Sequence, residues 1–144
     1  MKNNFNENVT RNDVEFTCFI IERISRILHQ SNQYVIDNIG YDGIEYLLSF
    51  ACMLHSQNFD QTCNEIIDKY HLTGGAILKP NKPTDLYMAS VYSNIIWKVQ
   101  TDDLVDSVIN VYNNPICEII DDYETSAHYE PLPTLVKAYY EGSF

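Results

Sequence analysis

The sequence predicts an all-α fold: one domain over residues 1–144, built as a bundle of about six helices, with an irregular or strand segment near 116–130 left open. Three observations predict it. Apolar residues recur every three to four positions in five separate stretches, the period of a helix with one buried face. Most of these stretches open beside a short polar side chain that can cap a helix, and several close at Gly or Pro. Strand signals are few.

Residues 1–12 are polar, with Asn at 3, 4, 6, 8 and 12, and read as a frayed terminus. Asn12 or Asp13 is placed to cap a first helix. Its buried positions are Val14, Cys18, Ile21, Ile24 and Leu28, flanked by Phe16, Ile20 and Ile27, while Glu15, Glu22, Arg23 and Arg26 fall largely on the other side. The pattern carries on through Tyr34 and Ile36 until Gly40. Asp42-Gly43-Ile44-Glu45 has capping-box spacing, and Ile44, Leu47, Leu48, Ala51 and Leu54 follow with helical period. Asn58-Phe59-Asp60-Gln61 repeats that logic, with Phe59, Cys63, Ile66, Ile67 and Tyr70 as the buried face, and Gly74-Gly75 reads as the stop. The short gap between 42–55 and 58–71 implies an antiparallel helical hairpin.

TGGAILKPNKP, residues 73–83, is the clearest loop and is locally basic through Lys79 and Lys82. Pro83-Thr84-Asp85 opens a helix carrying Leu86, Met88, Ala89, Tyr92, Ile95, Ile96 and Val99. Thr101 caps the next, with Asp102 and Asp103 in its first turn and Leu104, Val105, Val108, Ile109 and Tyr112 as its stripe. Asn113-Asn114-Pro115 stops it. Residues 116–123 fit a helical turn or a short strand, 121–133 read as an exposed acidic loop, and Pro133-Thr134 opens a last helix that Gly142 ends.

A chain of 144 residues that is 45% hydrophobic is large enough to bury one core without metal or disulfide staples. No apolar run approaches the ~18 residues of a membrane span. The first residues lack a signal-peptide pattern, so a cytoplasmic location is expected. Cys18, Cys52, Cys63 and Cys117 form no C-x-x-C pair and lie in separate apolar stretches, as reduced, buried thiols do.

The net charge of −11 is unevenly spread. Residues 1–100 hold eleven acids against eight bases, net −3; residues 101–144 hold nine acids against Lys137 alone, net −8. Charge of that sign repels nucleic acid and attracts a basic protein.

No nucleophile elbow, Walker loop or dinucleotide fingerprint is present. Cys52 and His55 share a helix face, but Cys63 and His71 lie eight residues apart and do not readily join them at one ion, so no metal site, cofactor or catalytic residue is assigned. The acids after Thr101 are interleaved with Tyr112, Tyr123, Tyr129, Tyr139 and Tyr140, out of eleven tyrosines in the chain. Tyrosine supplies contact area at low entropy cost, and carboxylates steer a basic partner, so the pairing points to a protein-binding surface. The candidate residues are Asp102, Asp103, Asp106, Glu118, Asp121, Asp122, Tyr123, Glu124, Tyr129 and Glu130.

On those residues, with the size and helicity, the chain resembles the acidic immunity proteins of bacterial polymorphic toxin and contact-dependent growth inhibition systems. The resemblance implies a cytoplasmic, non-enzymatic protein that binds a basic toxin domain, often a ribonuclease or deoxyribonuclease, and covers its active site, with no direct contact to nucleic acid or membrane. A second resemblance is to viral Bcl-2-like helical proteins, which hold a partner helix in an apolar groove. That group has Gly-Arg after its central Trp, whereas Trp97 is followed here by Lys98-Val99.

Overall fold

Helix α1 (Arg11–Leu28) is the element on which the others are assembled. Its buried residues, Val14, Phe16, Thr17, Cys18, Ile20, Ile21, Glu22, Ile24 and Ser25, run most of the way round it. A helix buried that widely needs neighbours on several sides. It packs chiefly on α4 (Asp85–Val99) and α2 (Asn32–Leu54), with α3 (Phe59–Lys69) on a further side. Helix α5 (Leu104–Tyr112) bridges α2 and α4, α7 (Leu132–Glu141) lies on α4, and the single-turn α6 (Cys117–Ile120) meets a 3-10 turn at Ala127–Tyr129. The computed structural model describes residues 8–144, and among these the fold is all-α with no strand. Residues 116–123, open between helix and strand in the sequence, therefore form α6 and the turn after it. No described helix is long and apolar enough to cross a membrane.

One core cluster runs through all of these helices. Fully burying an Ile is worth about 1.5–3 kcal/mol, against roughly 0–1 kcal/mol for an exposed ion pair. The row Ile20, Ile21 and Ile24 therefore outweighs Arg23, whose bonds to Asp60 (2.7 Å) and Asp85 (3.3 Å) tie α1 to α3 and α4 at the surface.

Asn58, Thr84 and Gly142 cap the helices as their sequence positions predict. Several boundaries move. Of the stretch expected to fray, residues 1–7 lie outside the described residues. Val9 is already buried, and Thr10, not Asn12 or Asp13, caps α1 in a reciprocal box with Asp13. Helix α1 stops at His29, left-handed at φ 54, because Gln30 N–H turns back to Ser25 O at 2.9 Å and Ser31 caps α2. Gly40 does not end a helix but kinks α2, at φ 62 and ψ −165, a conformation open to glycine. Helix α5 is capped by Asp103 and not by Thr101, whose N–H binds Ser107 Oγ at 2.9 Å.

Gly75 is not a helix stop either. Helix α3 ends at Lys69, and Gly75 lies beyond, its N–H donating to Leu28 O at 2.7 Å. A Cβ there would sit 2.7 Å from His29 O, so glycine allows segment 73–83 to lie against the end of α1. All four cysteines are free. Cys18, Cys63 and Cys117 are buried, but Cys52 is exposed, since it follows the buried Ala51 onto the outer side of α2.

Candidate functional site

The candidate residues divide into an outer face and an inner cluster. Asp103 caps α5 by accepting from Asp106 N–H at 3.1 Å, and its other oxygen takes Tyr41 Oη–H at 3.0 Å. Asp102 and Asp106 stand exposed beside it. Slight desolvation and then the neighbouring Asp103 charge push the Asp106 carboxyl above the usual range. In α6 the sequence ICEII alternates sides: Ile116, Cys117 and Ile120 enter the core, which leaves Glu118 and Ile119 in solvent. Asp122 accepts from Glu124 N–H at 3.2 Å and stays exposed, as do Glu124, Tyr129 and Glu130. Among the described residues Glu118, Asp122, Glu124 and Glu130 have no salt bridge.

Asp121 and Tyr123 do not belong to that outer face, which corrects the sequence reading of 121–133 as a uniformly exposed loop. The Asp121 carboxylate turns inward, where Tyr92 Oη–H donates to one oxygen at 2.7 Å and Asn32 Nδ2–H to the other at 3.0 Å. Tyr123 is half-buried against the core, its hydroxyl accepting from Arg26 at 3.2 Å. Ala127 and His128 are also buried.

The inner cluster centres on Glu22, which is fully buried. One of its oxygens accepts from Asn32 Nδ2–H and from Tyr112 Oη–H, both at 3.1 Å; the other has no partner among the described residues, nor has Asn32 Oδ1. Tyr92 and Tyr112 stack at 4.5 Å between centroids, which sets both hydroxyls over the acid pair. Burying a carboxylate costs several kcal/mol, and a hydrogen bond to a charged group returns about 1.5–3 kcal/mol. Two such bonds, with Lys79 attracting from the loop, do not restore full hydration. Burial first, then the Asp121 charge, therefore raise the Glu22 carboxyl to about 7, and burial raises Asp121 as well.

Segment 73–83 lies over this cluster. Lys79 Nζ donates to Ser25 Oγ at 3.2 Å, and Arg26 donates to Pro80 O at 3.0 Å and Pro83 O at 2.7 Å. The basic loop seen in the sequence thus brings its charge to the buried acids.

The sequence reading missed Glu22 as an interior residue, although its spacing of four from Cys18 and eight from Val14 places it in the buried stripe. It also missed the aromatic group at the outer face. Tyr87 meets His128 at 6.4 Å and Tyr129 at 5.7 Å, and His128 meets Tyr129 at 4.1 Å. Burial keeps His128 below its usual value, and thus neutral at pH 7. A hollow of about 130 Å³ lies here, with Glu130 at one side. A second hollow, of about 360 Å³ and largely apolar, opens between Phe16, Phe19, His55, Phe59 and Leu86.

The three buried thiols are poor nucleophiles. Burial pushes Cys63 and Cys117 up to about 12 and Cys18 higher still. Among the described residues no three His, Cys, Asp or Glu side chains gather to hold a metal ion. No protein-family model, curated protein or solved structure matches the chain.

Proposed function

We propose that the chain is a cytoplasmic, non-catalytic immunity-type protein that neutralises a basic toxin domain, of nuclease type, by laying its outer acidic and tyrosine-rich segment over the toxin's active site. One observation supports this above the rest. Between Asp102 and Glu130 the fold turns one carboxylate, Asp121, inward and leaves Asp102, Asp106, Glu118, Asp122, Glu124 and Glu130 exposed, with Tyr129 among them. Exposed acids repel one another, and a basic partner would relieve that repulsion, steer the encounter and fix its register. A binding role also suits the interior, where the titratable groups are occupied with each other: Asp121 and Glu22 hold Asn32 and two tyrosines, and three thiols are buried.

Co-expression tests the reading. Among the products of the reading frames adjoining this gene, one basic, toxin-like protein should arrest growth alone and not beside this chain. Its purified domain should bind the chain with an affinity that falls steeply between 50 and 300 mM salt, values chosen to span the screening range. Growth arrest unrelieved by the chain would contradict it.

The apolar hollow at Phe16, Phe19, Phe59 and Leu86 favours a second reading, a viral Bcl-2-like protein that seats a partner helix. Such binding would be insensitive to salt and would be lost in Leu86→Asp, a substitution at an exposed position.

A further inference from the structure

We infer that the hollow beside Tyr87, His128 and Glu130 seats an arginine side chain of the basic partner. This rests on the reading above and names the group that its acidic face grips.

The hollow is small. About 130 Å³ is below the roughly 300–1,000 Å³ of sites that enclose a whole small molecule, and suits one side chain. Its chemistry is mixed. Val91 and Leu135 give an apolar lining for an aliphatic stem, Tyr87 and His128 give aromatic walls, and Glu130 gives a carboxylate. Glu130 is exposed and has no salt bridge among the described residues. Tyr129, 64% exposed, sets its ring edge-on to Tyr87 next to this carboxylate. An apolar stem, a ring face and an unpaired acid together match arginine: its planar guanidinium stacks on a ring and forks onto a carboxylate, whereas the lysine ammonium is a strongly hydrated point charge. The chain's own cation at this lining, Arg11, donates to Asn94 Oδ1, is paired with Glu15 at 3.2 Å and makes no salt bridge to Glu130 among the described residues. His128, kept neutral by burial, adds no repulsion.

The test uses the full chain and N-acetyl-arginine methylamide, followed by the ring resonances of Tyr87, Tyr129 and His128. The matched citrulline compound has the same shape without charge. The arginine probe should shift those rings at concentrations at least about fivefold lower than citrulline does, and Glu130→Gln should erase the difference, since each change removes one charge-assisted hydrogen bond. Glu130 is exposed, so that variant keeps the fold. Equal shifts from arginine and citrulline would overturn the inference. Shifts confined to Glu118, Asp122 and Glu124 would overturn it too, while leaving the wider acidic face standing. Ring shifts as expected, together with growth arrest that the chain does not relieve, would support the arginine seat and sink the immunity reading instead.

Discussion

The carboxylates of Glu22 and Asp121 are joined through one amide: Asn32 Nδ2 donates to Glu22 at 3.1 Å and to Asp121 at 3.0 Å. Two acids from distant parts of the chain thus share a donor beneath the segment that carries Lys79. The pair pins α6, α2 and α1 together, and it is strained by its own charge.

The pH dependence of stability should show that strain. The folded Glu22 carboxyl lies at about 7, above its unfolded value of 4.5, so between those values the folded state holds the proton more tightly. The stability assignable to Glu22 therefore falls as pH rises from about 4.5 to about 7, and levels off above. Asp121, also raised, acts in the same sense, while His128, lowered, acts in the opposite one. Comparison with Glu22→Gln isolates the first effect. In urea unfolding, the variant should gain on the order of 1–3 kcal/mol relative to wild type between pH 5 and pH 8. A relative loss over that range would contradict the assignment.

Tyr112 is fully buried and its hydroxyl donates to Glu22. Tyr112→Phe keeps the stack on Tyr92 and removes the donor. At pH 8, with Glu22 largely ionised, it should cost about 1–3 kcal/mol, and at pH 5 less, because a neutral carboxyl needs the donor less. Equal cost at both pH values, read by thermal unfolding, would show that the cost does not depend on the charge of Glu22.

Arg26 fastens segment 73–83 through Pro80 O and Pro83 O. Arg26→Lys keeps the charge but not the fork. The amides of Gly75 and Ile77, which bind Leu28 O and His29 O, should then exchange with solvent about tenfold faster, since two hydrogen bonds of roughly 0.5–1.5 kcal/mol are weakened. Unchanged exchange at both amides would mean that those backbone bonds hold the segment unaided.

The periodicity of the sequence located the helices, because burial on one stripe is a local property. Val14, Cys18, Ile21 and Ile24 are buried as their spacing predicts, and Asn58 and Thr84 cap where their sequence positions place them. What the spacing does not contain is how many neighbours a helix has. Helix α1 is covered on several sides, so Glu22, assigned to the polar side, is interior. Neighbouring caps are also beyond it: Thr101 and Asp103 both suit an N-cap, and the bond from Tyr41 to Asp103 comes from a remote helix. The outer site was legible as a segment but not residue by residue. Nothing within Asp121-Asp122 shows which acid turns inward, because that choice is made by Tyr92 and Asn32.

The outer face separates cleanly from the inner pair, and the separation gives the most direct test of the central claim. Affinity for the basic toxin domain should be measured for wild type, for Glu118→Lys/Asp122→Lys/Glu124→Lys, and for Glu22→Gln. All three reversed acids are exposed, so the triple variant keeps the fold, and it should bind at least about a hundredfold more weakly at 100 mM salt, two or more steered charge pairs being lost. Glu22→Gln should bind as wild type does, because its site is interior. Undiminished affinity in the triple variant would contradict the claim that exposed acids between Asp102 and Glu130 hold the partner.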